Sequence, residues 1–267
     1  MTSVRKPNVA GQFYPGQAKV LAAMVNKFLQ AAIPINIDKQ PKAIIAPHAG
    51  YIYSGPIAAT VYASLLKFKG KIKNVVLLGP AHRVYVSGIA ATAVDYFETP
   101  LGAIAVAHDI VNKILTLPTV HINEEAFDTE HSLEVQLPFL QVVLGEFKLI
   151  PLAVGEVNFS AVAAVLEKLW GDAATLIVVS SDLSHYYDYK AAQKLDALTS
   201  KAIVELAPEN IAVEQACGRV PMQGLLQAAK KHGLTAQVLD VRNSGDTAGT
   251  KDSVVGYGAY CFWEDKI

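Results

Sequence analysis

Three of the seven histidines stand shortly after apolar runs of the sequence. His48 follows KAIIA in the stretch APHAGYIYSG, His82 follows NVVLLGPA, and His185 closes SSDLSH after LIVVS. The small residues around His48 and His82 permit close backbone approach and leave an imidazole free to reach into a crevice. Such an imidazole can bind a metal ion, move a proton, or hydrogen-bond to a nearby carbonyl, and one histidine alone does not decide among these roles.

The elements that position these histidines are predicted from apolar patterning. The runs at 42–46, 74–78 and 176–180 are typical of buried parallel strands. Because ligand crevices in open α/β sheets lie beyond the carboxyl ends of the strands, we expect the three histidines to converge. Further strands are predicted at 88–94, 148–152, 237–241 and 253–262, and helices at 20–29, 54–70, 160–170, 189–206 and 221–230. This alternation predicts one α/β domain over 1–267, with a mostly parallel or mixed central sheet and helices on both faces.

Two imidazoles need at least one more donor to hold a catalytic metal ion. A carboxylate as that donor favours non-heme iron, whereas sulfur favours zinc or copper. In SSDLSH, Asp182 and His185 can act as an acid–base pair or as metal ligands. The alternative for Asp182 is a capping role, in which its carboxylate accepts hydrogen bonds from backbone amides.

Two other polar segments are candidates for the same crevice. In DTEHSLEVQLPFL, a helix would place Glu130 and Glu134 on one face beside His131, although a solvated first turn is the alternative. The segment NSGDTAG follows the predicted strand QVLDV, and it contributes Asp246 to the crevice or forms only a turn.

Composition excludes several classes of function. The chain has 267 residues, 52% of them hydrophobic, and its 23 basic and 24 acidic residues give a net charge of -1, so nucleic acid is not expected as the main partner. No signal peptide or membrane span is recognisable, and Cys217 and Cys261 lack metal-ribbon spacing, so we expect a cytoplasmic protein with reduced thiols. Neither GxGxxG nor a phosphate loop occurs, so no nucleotide cofactor is expected.

Together these segments strongly resemble the Memo family, whose prokaryotic members are called AmmeMemoRadiSam system protein B. The resemblance extends from Gly11 to beyond Leu226. It rests on GQFYP, PHAGYIYSG, GPAHRVY, EHSLEVQLPFL, SSDLSHY and CGRVPMQGLL, in that order.

The resemblance implies a fold like that of the LigB-type class III extradiol dioxygenases, which are non-heme iron enzymes that open catechol rings. His48 and His82 match the two metal-binding histidines of that fold, and His185 matches its acid–base histidine. Asp182 and His131 match further polar residues of the family's pocket.

The third metal ligand departs from the family pattern. The dioxygenases use a glutamate there and vertebrate Memo uses a cysteine, whereas the stretch NSGDTAG contains neither. The corresponding position falls at Thr247, so the adjacent Asp246 is the predicted third ligand.

Three functions follow from the residues and the resemblance. The first is a metal-dependent oxidoreductase, with iron or copper favoured over zinc and a pocket that includes Tyr51, Tyr53 and Glu134. The second is a non-enzymatic adaptor for a peptide or protein, as the association of vertebrate Memo with phosphotyrosine peptides implies. The third is a component of a system with a radical SAM enzyme and an AMMECR-domain protein, as the prokaryotic family name implies. The sequence names no substrate, whether small molecule or peptide.

Overall fold

The computed structural model describes residues 2–33 and 39–264. The strands of this part of the chain are β1 (Val4–Arg5), β2 (Ala43–Ala46), β3 (Asn74–Pro80), β4 (Ile89–Ala91), β5 (Tyr96–Thr99), β6 (Gly102–Ala105), β7 (Val120–Ile122), β8 (Lys148–Val154), β9 (Thr175–Ser180), β10 (His185–Tyr187), β11 (Leu234–Asn243) and β12 (Val254–Glu264). The α-helices are α1 (Ala18–Ala31), α2 (Tyr51–Ala63), α3 (His108–Ile114), α4 (Glu125–Asp128), α5 (Leu137–Leu144), α6 (Phe159–Leu169), α7 (Tyr189–Val204) and α8 (Arg219–Lys231).

A large mixed sheet forms the centre of the molecule, and its strand order is β10-β12-β2-β9-β3-β8-β4-β7, with β11 paired to β12. The neighbours β2, β9, β3 and β8 are parallel, whereas β12 and β4 run antiparallel to their partners β2 and β8. The central strands are buried except for the first residues of β3 and β8, because helices cover both faces. One helical layer contains α1, α2 and α5, and the other contains α3, α6 and α8. The predicted α/β architecture is therefore confirmed.

The three strands that precede the candidate histidines are direct neighbours in the sheet. In this order β9 lies between β2 and β3, with Ala46 paired to Ser180 and Leu78 paired to Val179. All three strands run in the same direction, so their carboxyl ends meet at one edge. This arrangement confirms the expectation on which the site prediction rests.

The helix after His48 begins earlier than predicted, at Tyr51 instead of Ser54. The amide of Tyr51 donates to the carbonyl of Phe13, and the Ser54 hydroxyl donates back to the carbonyl of Ala49. Ser54 therefore stabilises the turn from inside the helix and does not cap it. The predicted helix also ends early, at Ala63, and the chain continues in a 3₁₀ turn at Leu66–Phe68.

The N-terminal segment packs against residues from the middle of the chain through strand pairing and hydrogen bonds. Strand β1 joins β5 and β6 in a separate three-stranded sheet. Glu134, fully buried in a 3₁₀ turn at Glu134–Gln136, accepts hydrogen bonds from Arg5, the Asn8 and Val9 amides and the Tyr14 hydroxyl at 2.6–2.9 Å. This network holds the segment that carries Phe13 against the site.

A search of the described helices for membrane spans finds none with the length and apolar content required to cross a bilayer.

Candidate metal centre

Three imidazoles converge beyond the carboxyl ends of β2 and β3. His48, His82 and His131 each offer a donor atom, and these atoms lie within 4.8 Å of one another. The ring centroids are 5.3 Å apart for His48 and His82, 5.4 Å for His48 and His131, and 5.0 Å for His82 and His131. This cluster can hold a metal ion.

The hydrogen bonds around His48 determine which of its ring nitrogens carries the proton. Its Nδ1 lies 2.9 Å from the Ser180 hydroxyl oxygen. That hydroxyl donates its one proton to the Ser132 carbonyl at 2.6 Å and accepts a bond from the Gln136 amide at 2.7 Å. Ser180 must therefore accept a second proton, from His48 Nδ1, which leaves a lone pair on His48 Nε2.

Glu130 orients His82 in the same way. Its carboxylate accepts bonds from His82 Nδ1 at 3.0 Å, from the His82 amide at 2.5 Å, and from the His131 and Ser132 amides at 2.9 and 2.8 Å. Burial by itself would raise the pKa of Glu130, but the hydrogen bonds and the charge of His82 outweigh it and lower the pKa to about 2. An ionised Glu130 accepts a hydrogen bond from the Nδ1–H group of His82, so the lone pair of this ring lies on Nε2.

His131 completes the cluster from a different segment. Burial is the largest cause that lowers its pKa to about 4, and the positive charges of His82 and Arg83 act in the same direction. Its Nδ1 lies 3.4 Å from Glu130 Oε1 but makes no hydrogen bond with the described residues. A buried ring nitrogen without a partner, beside two oriented lone pairs, fits a metal ligand. Burial likewise lowers the pKa of His48, so its ring is neutral, as a ligand must be.

Asp182 and His185 line the same cavity. Asp182 accepts bonds from the backbone amides of His48 at 2.7 Å and Ala49 at 3.3 Å, so it fixes the turn that carries His48. Burial raises the pKa of Asp182 to about 7 despite these bonds, and burial lowers the pKa of His185. Asp182 therefore accepts backbone amides, as the capping alternative expects, but in a turn distant from it in sequence. Its acid–base role with His185 stays a prediction.

A cysteine that the sequence analysis left outside the site lies within it. Cys217 Sγ is 3.3 Å from His48 Nε2, and burial raises the pKa of this thiol to about 12. Gly218 makes this approach possible, because a Cβ there would lie 2.6 Å from Ser181 Cβ and 2.8 Å from the Ser180 carbonyl. Both cysteines of the chain are free thiols. The signal for Cys217 was its position in the quoted string CGRVPMQGLL.

The cavity in front of the cluster has a volume of about 740 Å³. Tyr53 lines it, as predicted. Tyr51 does not, because its ring is buried among core residues and its hydroxyl donates to the Val135 carbonyl. Glu134 does not line it either, since its segment is not an α-helix and its carboxylate turns toward the N-terminal network. The structure corrects both of these pocket assignments.

The predicted third ligand, Asp246, also lies elsewhere. One of its oxygens accepts a bond from the Tyr189 hydroxyl, and the other accepts the Asn243 amide at 2.9 Å. The loop reaches the cavity through Ser244 and Gly249 instead. Asp246 therefore stabilises its own turn, and His131 takes the third position in the cluster.

The donor set fits a metal ion with neighbouring groups that can move protons. Three imidazoles suit zinc, copper or iron, and the nearby thiol would add a soft ligand on deprotonation. A cavity beside the cluster leaves room for a second molecule to approach. The fold and the site define an α/β protein with a candidate metal centre at the carboxyl edge of its sheet.

Comparisons with known proteins give the family. The profile of the Memo-like protein family matches residues 5–261, and the chain belongs to the Memo family. A MEMO1 family protein of Aquifex aeolicus is 38% identical over 95% of this chain and 97% of its own length. MEMO1 family proteins of Saccharolobus solfataricus and Nitrosopumilus maritimus are 34% and 33% identical over 97% of this chain and 99% of each relative.

A solved structure supports the fold independently of sequence. An uncharacterized protein from Escherichia coli K12 superposes with a TM-score of 0.54 at 15% identity, and the match covers 81% of this chain and 98% of the other. The likeness concerns the fold alone.

Proposed function

We propose that this Memo-family protein is a metal-dependent oxidoreductase that acts on a small molecule in the cavity beside His48, His82 and His131. The observation that carries the proposal is the orientation of two imidazoles. Ser180 and Glu130 each accept a hydrogen bond from an Nδ1–H group, so His48 and His82 carry their lone pairs on Nε2, where these can bind a metal.

Iron or copper is the favoured metal, ahead of zinc, and it would be held by the three histidines, with Cys217 as an additional donor. Imidazole suits all three metals, and thiolate favours copper and zinc. A redox-active metal would supply electron transfer and polarise a bound substrate. Ring cleavage of a catechol, as in the dioxygenases that the sequence resembles, is one reaction of this type.

Asp182 and His185 would move protons next to the metal. Both line the cavity, and burial shifts the pKa of Asp182 upward to about 7. A carboxyl group that titrates near neutral pH can both accept and release a proton during a reaction. Where the reaction moves a proton in addition to the one on Asp182, His185 would accept or donate it, since its neutral ring offers one donor and one acceptor.

Metal analysis after anaerobic purification tests this proposal. Wild-type protein is expected to retain iron or copper, and His48→Ala and His131→Ala are expected to lose most of it. The matched control is His121→Ala, which removes an exposed imidazole from β7. Equal metal content in all four proteins would remove the basis of the proposal.

Cobalt substitution tests the role of the thiol separately. Cobalt bound by a thiolate gives an intense charge-transfer band in the near ultraviolet. We expect this band in wild-type protein and its loss in Cys217→Ser, with cobalt still bound. A spectrum unchanged by Cys217→Ser would exclude the thiol from the ligand set.

The adaptor hypothesis and the radical SAM-linked hypothesis make different predictions. A peptide adaptor, with the histidines as its polar pocket, would bind its ligand in metal-free protein and lose it when His48 and His185 are substituted. A member of a multiprotein system would co-purify with the radical SAM enzyme or the AMMECR-domain protein. A cytoplasmic location, also a prediction, is compatible with all three functions.

A further inference from the structure

Arg83 is an unpaired guanidinium in the wall of the cavity. It follows His82 directly after β3, and it makes no hydrogen bond or ion pair with the described residues. Each of the other arginines has a partner: Arg5 binds Glu134, Arg219 binds Gln223, and Arg242 binds Asp240. Arg83 thus differs from them in facing the cavity with its hydrogen-bonding capacity unused.

No protein group in the cavity neutralises this charge. Arg83 is the only lysine or arginine among the described residues that line it. Asp182 is the only carboxylate among them, and it is 4% exposed and turned toward the amides of His48 and Ala49. The cavity therefore offers one permanent positive charge that a ligand can pair with.

Four aromatic side chains belong to the remaining walls. Phe13, Tyr53, Tyr186 and Tyr257 line the same space, and the Phe13 ring packs 4.7 Å from that of His131. Tyr186 is held at φ 63°, an uncommon conformation for a residue other than glycine, directly beside His185. Flat apolar surfaces around one charge suit a flat organic molecule with one anionic group.

We propose that Arg83 determines specificity by binding the carboxylate of a small, flat organic monoanion that enters the cavity beside the three histidines. This inference deepens the proposed function and rests on it. The planar fork of a guanidinium matches both oxygens of a carboxylate. In metal-free protein a phosphate dianion fits less well, because the cavity offers one cationic side chain for two negative charges.

Calorimetric titration of metal-free protein with benzoate tests the inference, because in metal-free protein the ligand cannot bind to the metal instead. Arg83→Gln is expected to weaken benzoate binding by roughly ten- to one-hundred-fold, which is the usual loss for a hydrogen bond to a charged group. Arg83→Lys is expected to restore part of this affinity, because the charge returns without the planar fork. Lys113→Gln, which removes an exposed positive charge from α3, is the control and should bind benzoate like wild type.

Two further ligands separate charge from shape. Benzamide has the same ring without the charge, so it should bind weakly to wild type and be insensitive to Arg83→Gln. Phenyl phosphate should bind less tightly than benzoate. The inference is overturned if wild type does not bind benzoate, if Arg83→Gln binds it equally well, or if phenyl phosphate binds more tightly.

The metal content of each protein as purified, before the metal is removed for titration, distinguishes this inference from the proposed function. Arg83→Gln is expected to keep its metal, because removing a positive charge near the cluster does not weaken cation binding. Intact metal binding with benzoate affinity independent of Arg83 would reject the carboxylate site alone. Wild-type protein without affinity for metal would reject the proposed function.

Discussion

Substituting Glu130 by glutamine should weaken metal binding without dismantling the fold. The carboxylate accepts four N–H bonds, including the one from His82 Nδ1 that frees the Nε2 lone pair. Glutamine keeps the shape but replaces one acceptor oxygen by an NH₂ donor, so at least one of these bonds is lost. The negative charge that favours an electron-rich imidazole is lost as well.

The expected effect is a ten- to one-hundred-fold loss of metal affinity, about 1.4–2.8 kcal/mol, as is usual when a partner of a ligating histidine is removed. Competition titration of metal-free protein with zinc and a chromophoric chelator measures it without redox side reactions. Glu209→Gln, at an exposed position, is the control. Circular dichroism should show that Glu130→Gln is folded. A folded variant with wild-type zinc affinity would refute the role given to Glu130.

Three predictions concern stability and use urea denaturation. Glu134→Ala should lower the free energy of unfolding by about 3–5 kcal/mol, because Arg5 keeps a buried charge without its partner; a loss below about 1 kcal/mol would contradict this, since that is the scale of an exposed pair. Burial lowers the pKa of Lys42 from 10.5 to about 8, so the unfolded chain holds more protons between these pH values. Stability from this group should rise with pH across that window, and Lys42→Met should remove the rise; an unchanged profile would contradict it. Leu78→Ala in β3 should cost about 2–5 kcal/mol, whereas Leu66→Ala, at an exposed site, should cost less than about 0.5 kcal/mol, and equal losses would count against the burial argument.

The central part of the fold was predictable because its strands are continuous apolar runs. The strands before His48, His82 and Asp182 are buried on both faces, and such strands have a simple sequence pattern. Their parallel order then places the following residues at one edge. Placing His48 and His82 side by side therefore needed only the general rule for open α/β sheets.

Short elements were not predictable from periodicity. The strands β1, β5, β6 and β7 have two to four residues each, which is too few to establish an alternating pattern. Their pairing depends on contacts between distant parts of the chain, such as Val4 with Tyr96. Tertiary packing decides such elements.

The incorrect site predictions have one cause in common, because each depends on the direction in which a side chain points and on the partner that it meets there. Glu134 and Asp246 have carboxylates that could serve in a polar pocket or bind a metal. Arg5 donates a hydrogen bond to Glu134, and the Asn243 amide donates one to Asp246, so both carboxylates point away from the cavity. Cys217 was overlooked because its distance from His48 is set by the close contact of Gly218 with the end of β9. Sequence patterns predict the type of such residues but not their partners.

The position of β12 in the sheet has a consequence for the order of folding. This strand pairs Tyr260 with Ile45 of β2, although the two residues are far apart in sequence. Tyr257 of the same strand also lines the cavity, together with Phe13 from near the other end of the sequence. During synthesis on a ribosome the cavity therefore stays open until the residues of β12 have emerged, because such long-range pairing forms late. Until that moment the wall of the cavity that Tyr257 supplies is missing, so the complete cavity belongs to the finished fold.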